Sequence, residues 1–257
     1  MLAWFHAMTD IEIGLVIGST TVLLCVALPF FVRRRYGLHV SSDVAKGAEE
    51  AFKLMSSMTM ALMAFCLVQV QTLHRNVEDL AARESTIILK VDRALRDFGG
   101  PSAPGLRQTV RRYATSVAAD EWPLMAKAGR SAATTALLAE LTRQTEDMKA
   151  DTPEQQMALV EMRGGMTQLN DVREARLSAA RIELPPYFWM TIVAVVSILV
   201  VLGWFQGPMP KLLIYVSGVT LGISMLLTLL IVASGIYVGE SRVTPKSIEA
   251  IVPMLGT

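Results

Sequence analysis

Four long apolar stretches and one long polar section set the pattern of this chain. Residues 11–32 are uncharged apart from Glu12 near the start. At about 1.5 Å per residue, such a run crosses the ~30 Å hydrocarbon core of a bilayer. Arg33-Arg34-Arg35 follows this run, whereas a secretory signal carries its positive charge in front. It is therefore read as a retained first span. Residues 52–73 form a second span that carries Ser56, Ser57, Thr59, Gln69 and Gln71, with Lys53 placed to snorkel to the headgroups. A third span, 187–205, is bracketed by Tyr187-Phe188-Trp189 and Trp204-Phe205, an aromatic belt at each end. The fourth, 212–238, has Gly218 and Gly222 at the spacing of a close-packing helix face. Trp4 and Phe5 suit an interface, and Gly207-Pro208-Met209-Pro210-Lys211 reads as a tight turn between the last two spans.

The polar section, residues 74–184, reads as helices throughout. Val77, Leu80, Ile87, Val91, Leu95 and Phe98 recur at three- and four-residue steps and make one apolar stripe. Residues 36–51 are read as a polar connection, and no Pro or Gly lies between Gly47 and Gly99. The second span is therefore expected to continue unbroken as one helix over 51–98. The cluster from Gly99 to Gly105 ends that helix. A second helix, 106–126, carries Leu106, Val110, Tyr113 and Val117, with Pro123 kinking or ending it. A third covers 131–149, and Asp151-Thr152-Pro153 opens a fourth that runs to Leu184 with a soft point at Gly164-Gly165. The expected architecture is all-α, a four-helix transmembrane protein with a helical soluble domain inserted between spans two and three. Its segments are a first hairpin over 1–73, the domain over 74–184, and a second hairpin with a short tail over 185–257.

Composition narrows the functional classes. Hydrophobic residues make up 52% of the chain, and 24 basic residues face 23 acidic ones, a balance unlike that of a nucleic-acid binder. Cys25 and Cys66 lie inside apolar runs and read as free buried thiols. His6, His39 and His74 are scattered, no cluster has metal-ligand spacing, and no glycine-rich phosphate loop is present. No catalytic residue, cofactor or metal is expected. The spans also lack a mid-membrane Asp, Glu, Lys or Arg, which disfavours an ion-coupled transporter.

Two groups of residues are candidates for a role. Phe52, Ser56, Thr59, Met63, Cys66 and Val70 share one face of the second span. Repeated about an axis, that face gives a weakly polar lumen with apolar constrictions. The competing reading is a helix–helix packing face. Gln69, Gln71 and His74 fit a polar ring at the mouth or an ordinary interface. In the soluble domain Asp120 and Glu121 are candidates to pair with Arg173 and Arg176, with Trp122 packed alongside. A buried bidentate pair would fix how two soluble helices cross, and a ligand or ion site is the other reading.

Several segments together resemble the bestrophin-like domain family. They are Tyr113-Ala114-Thr115-Ser116-Val117-Ala118-Ala119-Asp120-Glu121-Trp122-Pro123 and Asp171-Val172-Arg173-Glu174-Ala175-Arg176-Leu177, followed by Leu184-Pro185, Trp189, Gly239, Val243 and Pro245. The chain departs from the family pattern at Ser234-Gly235-Ile236-Tyr237, where an acidic residue and a Pro would precede the aromatic. By analogy with bestrophins, pentameric anion channels with two pairs of spans around a helical intracellular region, the resemblance implies a homo-oligomer whose second span lines a pore for an inorganic anion. The alternative is a non-conducting, membrane-anchored protein whose helical domain binds a partner. The bilayer of a bacterial inner membrane is the expected setting, and no nucleic acid is expected as partner. Arg33, Arg34, Arg35, Lys46, Lys53 and Lys211 fall on one side, so the positive-inside rule places the helical domain outside, while the bestrophin layout places it inside. The charge rule is preferred, because it acts on these residues directly.

Overall fold

The computed structural model describes residues 9–36, 40–182, 185–205, 210–237 and 242–255, and every regular element among them is helical. Trp4, Phe5, His6, His39, Leu184, Gly239 and the Gly207-Pro208-Met209 part of the proposed turn lie outside the described residues. The chain forms two compact units. One joins Met1–Thr72 to Glu183–Ser241, and the other joins Leu73–Ile182 to Arg242–Thr257.

In the first unit, α1 comprises Asp10–Val22, a π-helical turn Leu23–Ala27, and Leu28–Tyr36. Glu12, which reads as a stray charge at the head of a span, has a local task. Its carboxylate accepts from the Thr9 N–H at 2.9 Å, and the Thr9 hydroxyl accepts from the Glu12 N–H at 3.3 Å, a capping box. The π turn comes just before Pro29, which has no N–H for the carbonyl four residues back. The Leu28 N–H reaches back to the Leu23 carbonyl, and the Trp204 indole donates to the Leu24 carbonyl at 3.2 Å. A Cβ on the neighbouring Gly203 would lie 3.2 Å from the Cys25 oxygen, so glycine permits this approach.

The second helix, α2, is Ser42–Phe98, 57 residues without a break. It starts before the expected Ala51 and runs through Gly47, so the polar connection is shorter than the sequence suggests. A Glu49–Lys53 pair at 2.6 Å on adjacent turns supports this extra length, against a helix cost of about 1 kcal/mol for the glycine. Two further helices, Pro186–Trp204 and Pro210–Ser234, complete the unit; they are α6 and α7 in chain order. The last ends at Ser234, before Gly235, short of the expected span, whose last residue Val238 lies outside the described residues. Phe52, Met63, Cys66 and Val70 of α2 pack with Ile192 and Leu199 of α6 and with Val216, Ile223 and Leu230 of α7. Ile13 and Ile17 of α1 pack against Ile231. Gly218 does not serve as a close-packing position, since a Cβ there would meet nothing within 4 Å, and one on Gly222 would meet Met60 at an ordinary 3.7 Å.

In the second unit, the C-terminal part of α2 is joined by α3, made of Ala103–Ser116, a π turn Val117–Glu121 and Trp122–Met125. It is joined also by α4, Ala132–Asp147, α5, Pro153–Ala179, and α8, Lys246–Ile251. The caps follow from the residue types: the Ser131 hydroxyl accepts from the Thr134 N–H, and that of Thr152 from the Gln155 N–H, each at 3.2 Å. Gly99 and Gly100, at φ +66 and +75, end α2 in a conformation that side chains resist. The helix α5 ends at Ala179, short of the expected end. Gly165 is no soft point, for a Cβ there would stand 2.6 Å from Val91 Cγ2, and its absence lets α5 cross α2 closely. Asp92, buried on α2, receives Arg107 of α3 through Nε at 2.9 Å and Nη2 at 3.1 Å.

The tail corrects the expected segment boundaries. Residues 242–257 belong with the helical unit and not with the second hairpin. Ile248, Ile251 and Leu255 recur at three- and four-residue steps and are buried, so α8 and its following turn form an amphipathic piece of that core.

Candidate functional site

The six residues expected to line a pore are buried within the single chain. Phe52, Ser56, Thr59, Met63, Cys66 and Val70 are each at most 3% exposed. Their face of α2 is covered by α6 and α7. The Ser56 hydroxyl donates to its own helix at the Phe52 carbonyl, 2.5 Å, and that of Thr59 to the Met55 carbonyl, 2.6 Å. With those protons committed and the side chains enclosed, this face does the packing job that small hydroxyl residues also perform. The exposed side of α2 carries a stripe of Ser57, Ala61, Ala64 and Val68, flanked by the larger Leu54, Met58 and Phe65 and followed by Gln69 and Gln71, while His74 is half-buried.

The soluble pair, by contrast, is part of a larger buried assembly. The π turn Val117–Glu121 precedes Pro123 just as the π turn of α1 precedes Pro29, and Glu121 closes it fully buried. Arg173 donates to Glu121 through Nε at 3.1 Å and Nη2 at 2.5 Å, and its Nη2 also donates to the Thr135 hydroxyl at 2.9 Å. One turn later on α5, Arg176 donates through Nη2 to Glu121 at 2.8 Å. The spacing of three residues places both guanidinium groups on one face of α5. Asp120 points elsewhere. It pairs with neither arginine among the described residues, and its carboxylate accepts from the Ser116 hydroxyl at 2.7 Å. Adjacent positions on a helix face different ways, so only one of the two acids can turn inward.

The residue missing from the sequence reading is Glu84 of α2. Arg176 donates to it through Nε at 2.6 Å and Nη2 at 3.3 Å, and the Tyr113 hydroxyl donates to it at 2.8 Å. Arg176 Nη1 points at the Met125 sulfur, 2.8 Å away, and its guanidinium stacks 5.4 Å from the Trp122 ring centre. A signal for Glu84 was present: it lies seven residues before Val91 and after Val77 of the apolar stripe, in step with the buried Ala81 and Ile88, where a charge has no solvent to face. The Trp122 indole donates to the Val243 carbonyl at 3.0 Å, which ties the tail to the same cluster. The motif segments around Glu121-Trp122, Arg173/Arg176 and Val243 therefore meet in one place.

The charges of the cluster balance, two carboxylates against two guanidinium groups. Burial by itself would push the Glu121 carboxyl up, but the hydrogen bonds and charges of Arg173 and Arg176 outweigh it and hold the group below the usual carboxylate range. Burial likewise works against the Arg173 and Arg176 charges, and their carboxylate partners more than offset it. The Tyr113 hydroxyl is held well above its ordinary value, by burial first and by the Glu84 charge beside it. The cluster thus keeps its charged pairs and its neutral phenol at neutral pH. It joins α2, α3, α4 and α5.

Among the described residues four helices are long and apolar enough to cross a membrane, and at most 33% of the apolar window of any one is buried within the chain. Together with the helical unit, they define an integral membrane protein of the α-helical class. The chain belongs to the bestrophin-like domain family, whose profile matches residues 19–248. No curated protein matches the sequence. Among solved structures, a variant of a bacterial bestrophin homologue from Klebsiella pneumoniae is similar over 96% of this chain and 98% of its own, with a TM-score of 0.67 and 12% identity. Another structure of the Klebsiella pneumoniae homologue matches with a TM-score of 0.65 at 12% identity, over 94% of this chain and 95% of its own. A variant described only as a membrane protein matches with a TM-score of 0.65 at 12% identity, over 95% and 96% of the two chains. At such identities the likeness is one of fold.

Proposed function

We propose that the protein is a homo-oligomeric ion channel of bestrophin type, conducting inorganic anions across a bacterial inner membrane. Family membership over residues 19–248 is the observation that carries this reading. The bestrophin homologues of matching fold support it at the level of architecture. In this reading the pore is lined not by the Phe52–Val70 face but by the side of α2 that the protomer leaves uncovered, with Ser57, Ala61, Ala64 and Val68 along it. Small side chains there allow several copies of α2 to approach an axis, and a lumen of this kind selects by width and by dewetting more than by fixed charge. The protein carries out no catalysis in this reading.

The test is the reversal potential of purified protein in a planar bilayer under a potassium chloride gradient. A channel for anions shifts it toward the chloride equilibrium potential, and a shift toward potassium rejects the anion assignment. One observation favours a second reading, a non-conducting anchor whose helical domain binds a partner: the face with the most polar small residues, Ser56 and Thr59, is spent on packing. Oligomers that are closed and well folded yet electrically silent would establish that reading instead.

A further inference from the structure

Between α4 and α5 in the helical unit lies an open groove of about 640 Å³, within the size range of small-molecule sites. Four arginines line it, Arg130, Arg143, Arg163 and Arg173, against two acids, Glu146 and Glu174. The arginines are not equally committed. Arg130 pairs with Glu174 at 2.6 Å, and Arg143 pairs with Glu140 and Asp147 at 2.8 and 3.3 Å. Arg163 has no carboxylate partner among the described residues, and the one hydrogen bond its side chain makes among them runs to the Glu146 backbone carbonyl at 3.3 Å. Arg173 is 1% exposed, yet its Nη1 makes no hydrogen bond among the described residues, while Nε and Nη2 are taken by Glu121 and Thr135. A guanidinium so deeply set, with one nitrogen left over and lining a groove, is a donor held ready at the floor of a site.

The spacing adds a length requirement. Arg163 and Arg173 are separated by roughly 15 Å along α5 at about 1.5 Å per residue, with Asn170 between them on the same face of the groove. A chain of phosphates suits two guanidinium groups spread along the helix in this way better than a single small oxyanion does. We propose that this groove binds a small molecule bearing several phosphate groups along its length, gripped by Arg163 at one end and by the free Nη1 of Arg173 with Asn170 at the other. Each guanidinium N–H donated to a phosphate oxygen is a charge-assisted hydrogen bond, stronger than its neutral equivalent. Since Arg173 is also the outer end of the chain of charges through Glu121 and Arg176 to Glu84, an occupied groove clamps the helical unit. The site belongs to this unit alone, so binding is independent of whether the protein conducts.

The experiment is calorimetric titration of the purified full-length protein in detergent, at about 0.15 M salt, with inorganic tripolyphosphate and with orthophosphate. Tripolyphosphate is expected to bind at least about tenfold more tightly than orthophosphate. Arg163→Gln, at an exposed position whose loss leaves the fold intact, should weaken tripolyphosphate about tenfold, and Asn170→Asp should do at least as much by placing a negative charge in the groove. Arg83→Gln, on α2 and outside the groove, should change nothing. Equal affinity for the two anions, unchanged binding in Arg163→Gln and Asn170→Asp, or no binding at all would each overturn the proposal.

Discussion

Arg176 and Glu84 stand 92 positions apart in the chain and meet at 2.6 Å with neither side chain exposed. Removing one member of such a pair strands a buried charge, at a cost of about 3–5 kcal/mol. The members of the cluster are not equivalent, however. Glu121 serves two arginines and Glu84 serves one, and Arg176 retains Glu121 when Glu84 is lost. Glu121→Ala should therefore lower the melting temperature and the yield of monodisperse protein more than Glu84→Ala does. The reverse order in a thermal melt would show that the charges are shared differently.

Tyr113→Phe removes only the hydroxyl that donates to Glu84, and the carboxylate keeps Arg176. The expected loss is about 1–2 kcal/mol, visible as a modest drop in melting temperature with assembly intact. A collapse of expression on the scale of Glu121→Ala would count against this accounting.

The two neighbouring glycines of α5 give a sharper contrast. A Cβ at Gly165 meets Val91 at 2.6 Å, whereas one at Gly164 meets nothing within 4 Å. Gly165→Ala is expected to destabilise by about 1–3 kcal/mol through overpacking. Gly164→Ala should stabilise by about 0.5–1 kcal/mol through helix propensity. Thermal melts of the two single variants check both signs.

The pH dependence follows from Glu121 and Tyr113. The folded-state value of Glu121 lies below 4.5, so between that value and 4.5 the unfolded chain holds more protons. Stability from this group is complete above 4.5 and is lost as pH falls through the folded value. Tyr113 is raised above 10, so its contribution is complete below 10 and is lost as pH climbs beyond it. Melting temperature against pH should fall at both ends, and Tyr113→Phe should flatten the alkaline fall alone.

Much of the fold was legible in the residues. Apolar runs of membrane length, bounded by Pro185-Pro186 and by aromatic residues, mark the spans because the bilayer sets their length and excludes charge. The Glu121–arginine pairing was legible as well, since acids beside a tryptophan and two arginines one turn apart have complementary geometry. Glu84 was hidden because its local sequence, Arg83-Glu84-Ser85, looks like a solvated helix face, and only its phase with the stripe reveals it. The tail was hidden because three apolar residues in a short segment look like loop until the core they complete is known. The face of α2 was ambiguous for a physical reason: serine, threonine and small residues suit both a lumen and a helix contact, and only the burial of Ser56 and Thr59 separates the two.

That separation yields a direct prediction for the spans. In protein whose native Cys25 and Cys66 are replaced by alanine, Ala64→Cys and Ser57→Cys should react with a charged, water-soluble thiol reagent. Ser56→Cys and Thr59→Cys should not, being enclosed by α6 and α7. Reaction at Thr59→Cys with protection at Ala64→Cys would restore the Phe52–Val70 face as the lumen.

The central claim, that this member of the bestrophin-like domain family conducts anions, is tested most directly by chloride efflux from liposomes containing the purified, monodisperse protein. Efflux well above that of empty liposomes is expected, blocked by the thiol reagent in Ala64→Cys and unaffected by it in Thr59→Cys. Efflux no faster than from empty liposomes, in protein that melts cooperatively and runs as a single oligomer, would contradict it.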